Sequence, residues 1–404
     1  MFRNYGLAPL RNQPFRRYWA ALTGSATGDG VLSVALPLTA IVLGADAAKI
    51  GWLTALSSLP SILFAIPAGG FMARSRHPVV AMILADLVRF GATITIPIAA
   101  LLGELSLPIL DATGFVISTA SVFFSVADAF VFPSLLTKDQ IVAGQSLTYG
   151  ARTVASMAGS AIAGLLVPLL SAPITTAVDS ASYLWSASSL ARIGRVSFPH
   201  SARGSSRLLS GGLRFILNTS TLRRALGLTT TSNFFGLMFQ SLSALYLTRT
   251  LGLPVYVVGI SLGAEAAGAF GGSVVASAVA RALDLQRGLL VGSLLSAAPM
   301  TAIAIAAGSK AILLLVISAA FLLSGIGRAL QDINVAAIFA STVPTSLRAQ
   351  VRGAYQMVSY GARPVGAVLG GLIGQQLGVH LAICAAAMGG LLAFPWALRP
   401  RKTK

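Results

Sequence analysis

The sequence predicts an all-α, polytopic membrane protein in which twelve transmembrane helices form two pseudo-symmetric six-helix bundles. The first supporting observation is composition: 55% of the 404 residues are hydrophobic and only 10% are charged, whereas soluble domains have roughly 25% charged residues. The second is the presence of twelve apolar stretches, each near the roughly 20 residues that cross a bilayer. The third is an internal repeat with a period of about half the chain.

The repeat is clearest in two octets that begin with Gln and end in Tyr-Gly-Ala-Arg, Gln145–Arg152 and Gln356–Arg363. Their offset is 363 − 152 = 211 residues. Further pairs lie 207 residues apart, Arg16-Arg17 with Arg223-Arg224 and Ala73-Arg74 with Ala280-Arg281. So long a period is not that of a solenoid, whose repeats have roughly 20–50 residues. In membrane proteins it indicates two related bundles around a central site.

The apolar stretches give the predicted order of the twelve spans. They lie at residues 18–43, 50–73, 79–103, 113–136, 144–170, 173–193, 222–246, 256–280, 286–307, 311–340, 351–377 and 379–397. The longest connection, 195–221, alternates Arg with Ser and Gly, so we expect it to link the halves. We therefore predict an N-terminal bundle at 1–194, a linker at 195–221 and a C-terminal bundle at 222–404.

Basic residues concentrate in alternate connections. They are Arg3, Arg11, Arg16 and Arg17, Arg74 and Arg76, Lys138, the group from Arg192 to Arg224, Arg281 and Arg287, Arg348 and Arg352, and Arg399 to Lys404. The opposite connections carry only Lys49, Arg249 and Lys310. Because cytoplasmic loops of membrane proteins are enriched in Lys and Arg, we expect both termini and the linker to be cytoplasmic. The preference for Arg over Lys suggests a bacterial protein, which places it in the cell (inner) membrane.

Several function classes are disfavoured by the same composition. The net charge of +18 is spread between apolar segments rather than gathered in one patch, so we expect no nucleic acid partner. The three histidines are far apart and the single cysteine, Cys384, lies in an apolar run, so neither a metal site nor another cofactor is expected. The connections leave no room for a soluble catalytic domain, so the chain is not expected to be an enzyme.

Short motifs along nearly the whole chain point to one family. They are Ile50-Gly-Trp52, Pro67-Ala-Gly-Gly70, Ala85-Asp-Leu-Val-Arg89, Val126-Ala-Asp-Ala-Phe130 and Arg352-Gly-Ala-Tyr355. Together they resemble the major facilitator superfamily, in particular its drug and siderophore exporters that exchange cargo for protons. Two positions depart from that pattern: Arg74 replaces an acidic residue of the loop after the second span, and Ser160 replaces a proline of the fifth span.

The resemblance implies a monomeric secondary transporter that works by alternating access inside the lipid bilayer. Its cargo would be a small amphiphilic molecule, such as a drug, an antibiotic or a secondary metabolite, driven by proton antiport. A siderophore exporter and a lipid flippase of the same fold are the alternatives, and a scaffold without transport activity is a further one. A flippase would transport fluorescent lipid, and a scaffold would tolerate loss of its buried charges.

In the family's arrangement the first, fourth, seventh and tenth spans line the cavity. This implies substrate contacts from Asn233, Phe234, Met238, Gln240, Arg328, Gln331 and Asp332. Such a wall is mostly apolar with a few polar groups, which is typical of sites for small ligands. Because cations do not cluster on these four spans, we expect an amphiphile rather than a sugar or a phosphate.

Other ionisable residues within the spans are candidates for coupling or gating, since burying such groups in a membrane is costly. Arg328 and Asp332 lie four residues apart on one helix face and can pair. The family's packing would place Arg152 near Glu265 of the other half, with Asp128 as the alternative partner of Arg152. Arg363, the counterpart of Arg152 in the repeat, is a further gating candidate. Asp86 and Arg89 are expected to be gate or structural partners.

Asp29 is the first candidate for the coupling proton, and Asp128 is the second. Asp29 lies between Gly28 and Gly30, a stretch of small residues that would admit water and cargo. At 1.5 Å per residue it lies roughly 18 Å from Arg17, near the middle of the bilayer. A carboxyl group removed from water there favours its protonated form. The alternative is that Asp29 only pairs with Arg363.

The linker supplies a test of the topology. A cysteine introduced by Ser205→Cys in a Cys384→Ala background should be inaccessible to an impermeant maleimide added to intact cells, because basic segments stay in the cytoplasm. It should react once the cells are opened. Labelling of intact cells at this position would invert the predicted topology.

Overall fold

The computed structural model describes residues 8–75, 77–137, 140–193, 208–282, 285–344 and 347–398, and every regular element in these ranges is helical. The predicted basic positions Arg3, Arg76, Lys138, Arg195 to Arg207 and Arg399 to Lys404 lie outside the described residues. So does the first part of the predicted linker, whereas its last part contains a short helix, Leu208–Asn218.

Sixteen α-helices make up the described fold. They are α1 (Gln13–Val42), α2 (Ala47–Ser58), α3 (Pro60–Leu63), α4 (Ala65–Arg74), α5 (Pro78–Leu101), α6 (Leu107–Ser134), α7 (Ile141–Leu170), α8 (Ala172–Ala191), α9 (Leu208–Asn218), α10 (Ser220–Leu245), α11 (Tyr256–Ala282), α12 (Leu285–Ala304), α13 (Lys310–Thr342), α14 (Arg348–Leu377), α15 (Val379–Gly390) and α16 (Phe394–Ala397). Short 3₁₀ segments, Ala8–Arg11 and Leu391–Ala393, and a π-helical segment, Tyr246–Thr250, adjoin them.

The helices account for the twelve predicted spans. Within the described residues, 8 helical segments are long and apolar enough to cross a membrane by themselves. Three more helices, α8, α10 and α14, have 20, 26 and 30 residues but are more polar. The second predicted span is divided into α2, α3 and α4, with Pro60 at the start of α3. A proline lacks the backbone N–H that would continue the preceding helix.

The chain forms two compact units. The N-unit contains Met1–Ala45 and Leu56–Gly204, and the C-unit contains Asp46–Ala55 and Ser205–Lys404. Asp46–Ala55, from the first half of the chain, packs within the C-unit. There, Gly51 lies against the backbone of Ala367 and Gly371, so that a Cβ atom on Gly51 would come 2.5 Å from the Ala367 carbonyl oxygen.

Helix α1 is at the centre of the packing of the N-unit, where it contacts α7 and α8, while α5 contacts α6 and α8. Small residues let these backbones approach closely. A Cβ atom on Gly159 of α7 would lie 1.9 Å from the Thr27 carbonyl oxygen of α1. On the other side of α1, a Cβ atom on Gly24 would lie 2.4 Å from the Trp185 ring of α8.

The C-unit repeats this packing. Helix α10 contacts α14, and α13 contacts both α11 and α12. A Cβ atom on Gly366 of α14 would lie 2.1 Å from the Phe234 carbonyl oxygen of α10. This contact is equivalent to the one between Gly159 and Thr27 in the N-unit. The two glycines and the two contacted residues are each separated by the same number of residues, since 366 − 159 and 234 − 27 both equal 207.

The common offset of 207 corrects the interpretation of the two octets. The octets are 211 residues apart, so they are displaced by four residues, about one helical turn, from the register in which the helices pack. Arg152 and Arg363 therefore occupy different levels of their helices and are not structural counterparts. The sequence pairs that lie 207 residues apart, such as Arg16-Arg17 and Arg223-Arg224, have the same offset as the packing contacts.

The close contacts of α7 and α14 predict different effects of glycine substitutions on the same helix. Gly159→Ala and Gly366→Ala should each lower the unfolding free energy by about 1–3 kcal/mol, because the added methyl group overlaps a backbone carbonyl. The matched controls are Gly150→Ala on α7 and Gly361→Ala on α14, since a Cβ atom at either position meets nothing within 4 Å. Thermal unfolding in detergent measures both pairs, and equal losses at all four positions would refute the packing contacts.

Candidate functional site

The N-unit holds an acidic cluster made of Asp29 on α1, Asp86 and Arg89 on α5, and Asp179 and Tyr183 on α8. Asp86, Asp179 and Tyr183 are fully buried, and Arg89 is 3% exposed. Asp29, by contrast, is exposed. Three carboxyl groups thus face a single guanidinium group, which interacts electrostatically with all three of them.

Arg89 is held in place by charge and by aromatic rings. Its Nη2 donates a hydrogen bond to Oδ1 of Asp86, three residues earlier on α5. The guanidinium carbon lies 4.3 Å from the ring centroid of Phe124 and 4.6 Å from that of Tyr183. Such cation–π contacts gain strength away from water. Asp86 and Arg89 therefore form the predicted pair, and their complete burial favours a structural role.

Asp29 and Asp179 lie on two helices that approach at a glycine. A Cβ atom on Gly28 would lie 2.4 Å from Oδ1 of Asp179 and 2.0 Å from Oγ of Ser182. The Tyr183 hydroxyl donates a 2.9 Å hydrogen bond to Oδ1 of Asp29. Oδ2 of Asp179 is buried and has no hydrogen-bond partner among the described residues. Gly28 thus allows the carboxyl group of Asp179 to lie beside the helix that carries Asp29.

Asp128 lies in a separate part of the N-unit. Its Oδ1 accepts a 2.5 Å hydrogen bond from the buried hydroxyl group of Tyr18. Arg152 is its electrostatic partner, which is the alternative in the same half that the sequence left open. Asp128 is thus satisfied by two neighbours, which leaves it less suited than Asp29 to exchange a proton.

The C-unit encloses a cavity of about 560 Å³. Helices α10, α11, α12, α13, α14 and α15 contribute to its wall. Aromatic residues supply much of the apolar part, namely Phe235, Phe239, Phe321, Phe339, Tyr355 and Tyr360. The polar part includes Thr229, Ser232, Asn233, Gln240, Ser296, Gln331 and Gln356. The volume is within the range of sites for drug-sized ligands, roughly 300–1,000 Å³.

Five of the seven predicted substrate residues line this cavity: Asn233, Gln240, Arg328, Gln331 and Asp332. The other two contact α14, because the backbone of Phe234 lies against Gly366 and the buried side chain of Met238 lies against Gly370. Gln331 is 5% exposed and donates a 3.3 Å hydrogen bond from Nε2 to Oγ of Ser232. It therefore ties α13 to α10, and Asn233 and Gln240 are the more accessible amides.

A row of polar residues follows one face of α14 along the cavity wall. Arg348, Arg352, Gln356, Tyr360 and Arg363 all line the cavity, and their spacings of four, four, four and three residues are those of one helix face. Cations do not cluster on the first, fourth, seventh and tenth spans, which the resemblance implied to be the cavity wall. The eleventh span supplies them, so that expectation is corrected by the structure.

The deeper charges of the cavity are partly paired. Nη2 of Arg328 lies 3.1 Å from Oε1 of Glu265, so the ion pair of Arg328 joins α13 to α11. Asp332 interacts electrostatically with both Arg328 and Arg363. Arg363 lies with its guanidinium carbon 5.2 Å from the Tyr360 ring centroid, and its buried Nε has no hydrogen-bond partner among the described residues. The predicted pairing of Arg152 with Glu265 stays a prediction.

Sequence reasoning left two functional features unassigned. No role is predicted for Asp179 from the sequence. Arg348 and Arg352 serve there only as topology signals, whereas Arg363 is a gating candidate. For Asp179 the useful signal is the small Gly28, since a glycine beside one carboxyl group permits the approach of another. For α14 it is the four-residue spacing of Arg348, Arg352 and Gln356.

Comparisons with known proteins agree with this architecture. The family of transmembrane secretion effectors matches residues 4–401 of the chain. A search of curated protein sequences finds no match. Among solved structures, a bacterial homologue of the human lysosomal transporter Spinster, inward-facing and unoccupied, is similar with a TM-score of 0.75 and 14% identity over 98% of this chain and 97% of that one.

Two other transporters are also similar. The nucleoside transporter NupG has a TM-score of 0.76 and 12% identity over 95% of this chain and 98% of its own. A bacterial homologue of the iron transporter ferroportin, in an inward-facing state, has a TM-score of 0.71 and 16% identity over 96% of this chain and 99% of its own. At these identities the similarity shows the fold alone. With the match over residues 4–401, the predicted resemblance is confirmed: the chain belongs to the transmembrane secretion effectors of the major facilitator superfamily.

Proposed function

We propose that the protein exports small amphiphilic molecules that carry an anionic group, and that it does so by alternating access in exchange for protons. The observation that supports this cargo is the C-unit cavity, which combines an aromatic wall with an arginine row on α14, namely Arg348, Arg352 and Arg363. Export from the cytoplasm, both termini on the cytoplasmic side, a bacterial inner membrane and a monomeric state belong to the same proposal.

The charge balance of the cavity supports an anionic group on the cargo. Four arginines line it, Arg328, Arg348, Arg352 and Arg363, against two carboxylates, Glu265 and Asp332. The excess of cations lies along α14, beginning at the first residue of that helix. If the start of α14 faces the cytoplasm, as the distribution of basic residues predicts, an anion from the cytoplasm meets Arg348 and Arg352 before it reaches Arg363.

The acidic cluster supports the proton as the driving ion. Asp29 is exposed at the edge of that cluster and accepts a hydrogen bond from Tyr183, which makes it the most accessible carboxyl group of the cluster. Competition between bound protons and cargo would couple their movements, because linkage between two sites is reciprocal. Asp128 remains the second candidate, although Tyr18 and Arg152 already satisfy it.

A siderophore exporter is a special case of this proposal, because an anionic siderophore would fit the same cavity. A lipid flippase is the second candidate function, since the arginine row could also receive a lipid headgroup. Transport of fluorescent phospholipid in proteoliposomes, without transport of a soluble amphiphile, would favour the flippase.

Binding in nanodiscs tests the anionic group. Anilinonaphthalene sulfonate should bind the wild type, and Arg363→Gln should weaken it by roughly tenfold, because a hydrogen bond to a charged group contributes about 1.5–3 kcal/mol. Arg352→Gln should weaken it less, since Arg352 is more exposed to water. Arg249→Gln, an exposed arginine outside the cavity, is the matched control. Stronger binding of the cation tetraphenylphosphonium than of the sulfonate by the wild type would contradict the proposal.

Everted membrane vesicles test proton coupling. An imposed pH gradient should drive accumulation of an anionic amphiphile by the wild type, and Asp29→Asn should lower this accumulation at least about tenfold because the amide cannot exchange the proton. Downhill exchange of cargo should persist in the same variant. Glu104→Gln, at an exposed carboxylate after α5, is the control. Accumulation by Asp29→Asn at the wild-type level would exclude Asp29 as the coupling residue.

A further inference from the structure

Asp179 is a fully buried carboxyl group on a membrane-spanning helix. Its Oδ2 atom has no hydrogen-bond partner among the described residues. An ionised carboxylate removed from water needs donors for both oxygens, and each missing donor is costly. Addition of a proton removes the charge that demands those donors. The geometry at Asp179 therefore suits a neutral carboxyl group better than an ionised one.

The cluster around Asp179 contains too few cations to neutralise its carboxylates. Its titratable and charged groups are Asp29 from α1, Asp86 and Arg89 from α5, and Asp179 and Tyr183 from α8. From α6, the aromatic ring of Phe124 covers Arg89. Arg152, on the neighbouring α7, instead accompanies Asp128. With every carboxyl group ionised, the cluster would hold three negative charges and one positive charge.

Arg89 already forms an ion pair with one of the three carboxyl groups, that of Asp86. It donates a hydrogen bond to Asp86 from the same helix face, and both residues are fully or almost fully buried. The guanidinium group is held between the rings of Phe124 and Tyr183. Asp29 and Asp179 are then two carboxyl groups with no ion-pair partner of their own in the described part of the chain. Two such groups at close range do not both ionise readily.

Contact between α1 and α8 brings these two carboxyl groups within range of electrostatic interaction. Oδ1 of Asp179 lies against Gly28, the residue before Asp29, closely enough to exclude a Cβ atom there. Tyr183 interacts electrostatically with both carboxyl groups and donates its hydroxyl proton in a hydrogen bond to Asp29. Asp29 is the exposed member of the cluster, whereas Asp179 is fully buried.

We propose that Asp29 and Asp179 share one proton, and that this shared proton is the one exchanged for cargo. The proton leaves or enters through Asp29: an O–H bond to a carboxyl oxygen breaks as an O–H bond to water forms, and the reverse occurs on loading. Asp179 accepts the proton from Asp29 on the buried side, with Tyr183 holding Asp29 in place. The pair of Arg89 with Asp86 takes no part in the exchange. This inference rests on the proposed proton antiport.

Infrared difference spectroscopy tests the shared proton without any need for transport. The purified protein in nanodiscs is titrated from alkaline to acidic pH while the carbonyl stretch of protonated carboxyl groups is recorded. The wild type and Glu104→Gln should show a protonated carboxyl band at neutral pH. Asp179→Asn should lose it, because the exposed Asp29 that remains no longer faces a second negative charge. Asp29→Asn should keep it, because the buried Asp179 still has no donor for its Oδ2 atom. Persistence of the band in Asp179→Asn, or its absence from the wild type, would overturn the shared site.

Accumulation of cargo in everted vesicles distinguishes failure of the shared-proton inference from failure of the proposed proton antiport. Asp179→Asn should lose pH-driven accumulation at least about tenfold, as Asp29→Asn does, while it retains downhill exchange. Tyr183→Phe, which keeps the ring over Arg89, should shift the pH dependence of transport without abolishing it. Wild-type accumulation by Asp179→Asn would refute the inference and leave proton antiport through Asp29 intact. A wild type that shows the band but no pH-driven accumulation would refute antiport, and with it the assignment of the shared proton to transport.

Discussion

The cost of an unpaired charge inside the membrane is the constraint on which the rest of this structure depends. Removing one partner of a buried ion pair typically costs about 3–5 kcal/mol, so each charged side chain in a span needs a specific neighbour. Arg89 meets this need with Asp86, and Arg328 meets it with Glu265. Two further sets of charges mark the candidate sites: Asp29 and Asp179 in the N-unit, and the arginines of α14 in the C-unit.

The same constraint explains which helices are polar. Helix α8 carries Asp179, and α10 and α14 supply much of the cavity wall. These three are the long helices whose composition alone does not mark them as spans within the described chain. Polar residues in a span are tolerated where they face protein or a cavity, as Asp179 and the cavity residues of α10 and α14 do.

Much of the fold followed from the sequence because composition, span length and duplication are properties of a whole chain. The division of the second span at Pro60 and the packing of Asp46–Ala55 with the C-unit did not follow, because both depend on contacts with helices distant in sequence. The octets suggested an equivalence of Arg152 and Arg363, yet the helices pack four residues out of that register. Similar short sequences need not be structurally equivalent. The register in which two helices pack is decided by the glycines at which their backbones come into contact.

The candidate sites were predicted in part for a related reason. Single residues such as Asp29 stand out in an apolar sequence, and five of the cavity residues were found on the seventh and tenth spans. The arginine row was missed because the eleventh span was excluded from the cavity wall. The role of Asp179 was missed because it depends on the distance between two helices, which spacing along one helix cannot supply.

The central claim is that cargo in the C-unit cavity and a proton in the N-unit cluster are linked. The most direct measurement is proton release from the purified wild type in weakly buffered nanodiscs, followed with a pH-sensitive dye as anilinonaphthalene sulfonate is added. The account predicts release of about one proton for each amphiphile bound at saturation, because in an antiporter bound cargo lowers the affinity for the proton, and the proton lowers the affinity for cargo by the same factor. Saturating binding of the amphiphile without any proton release would contradict it.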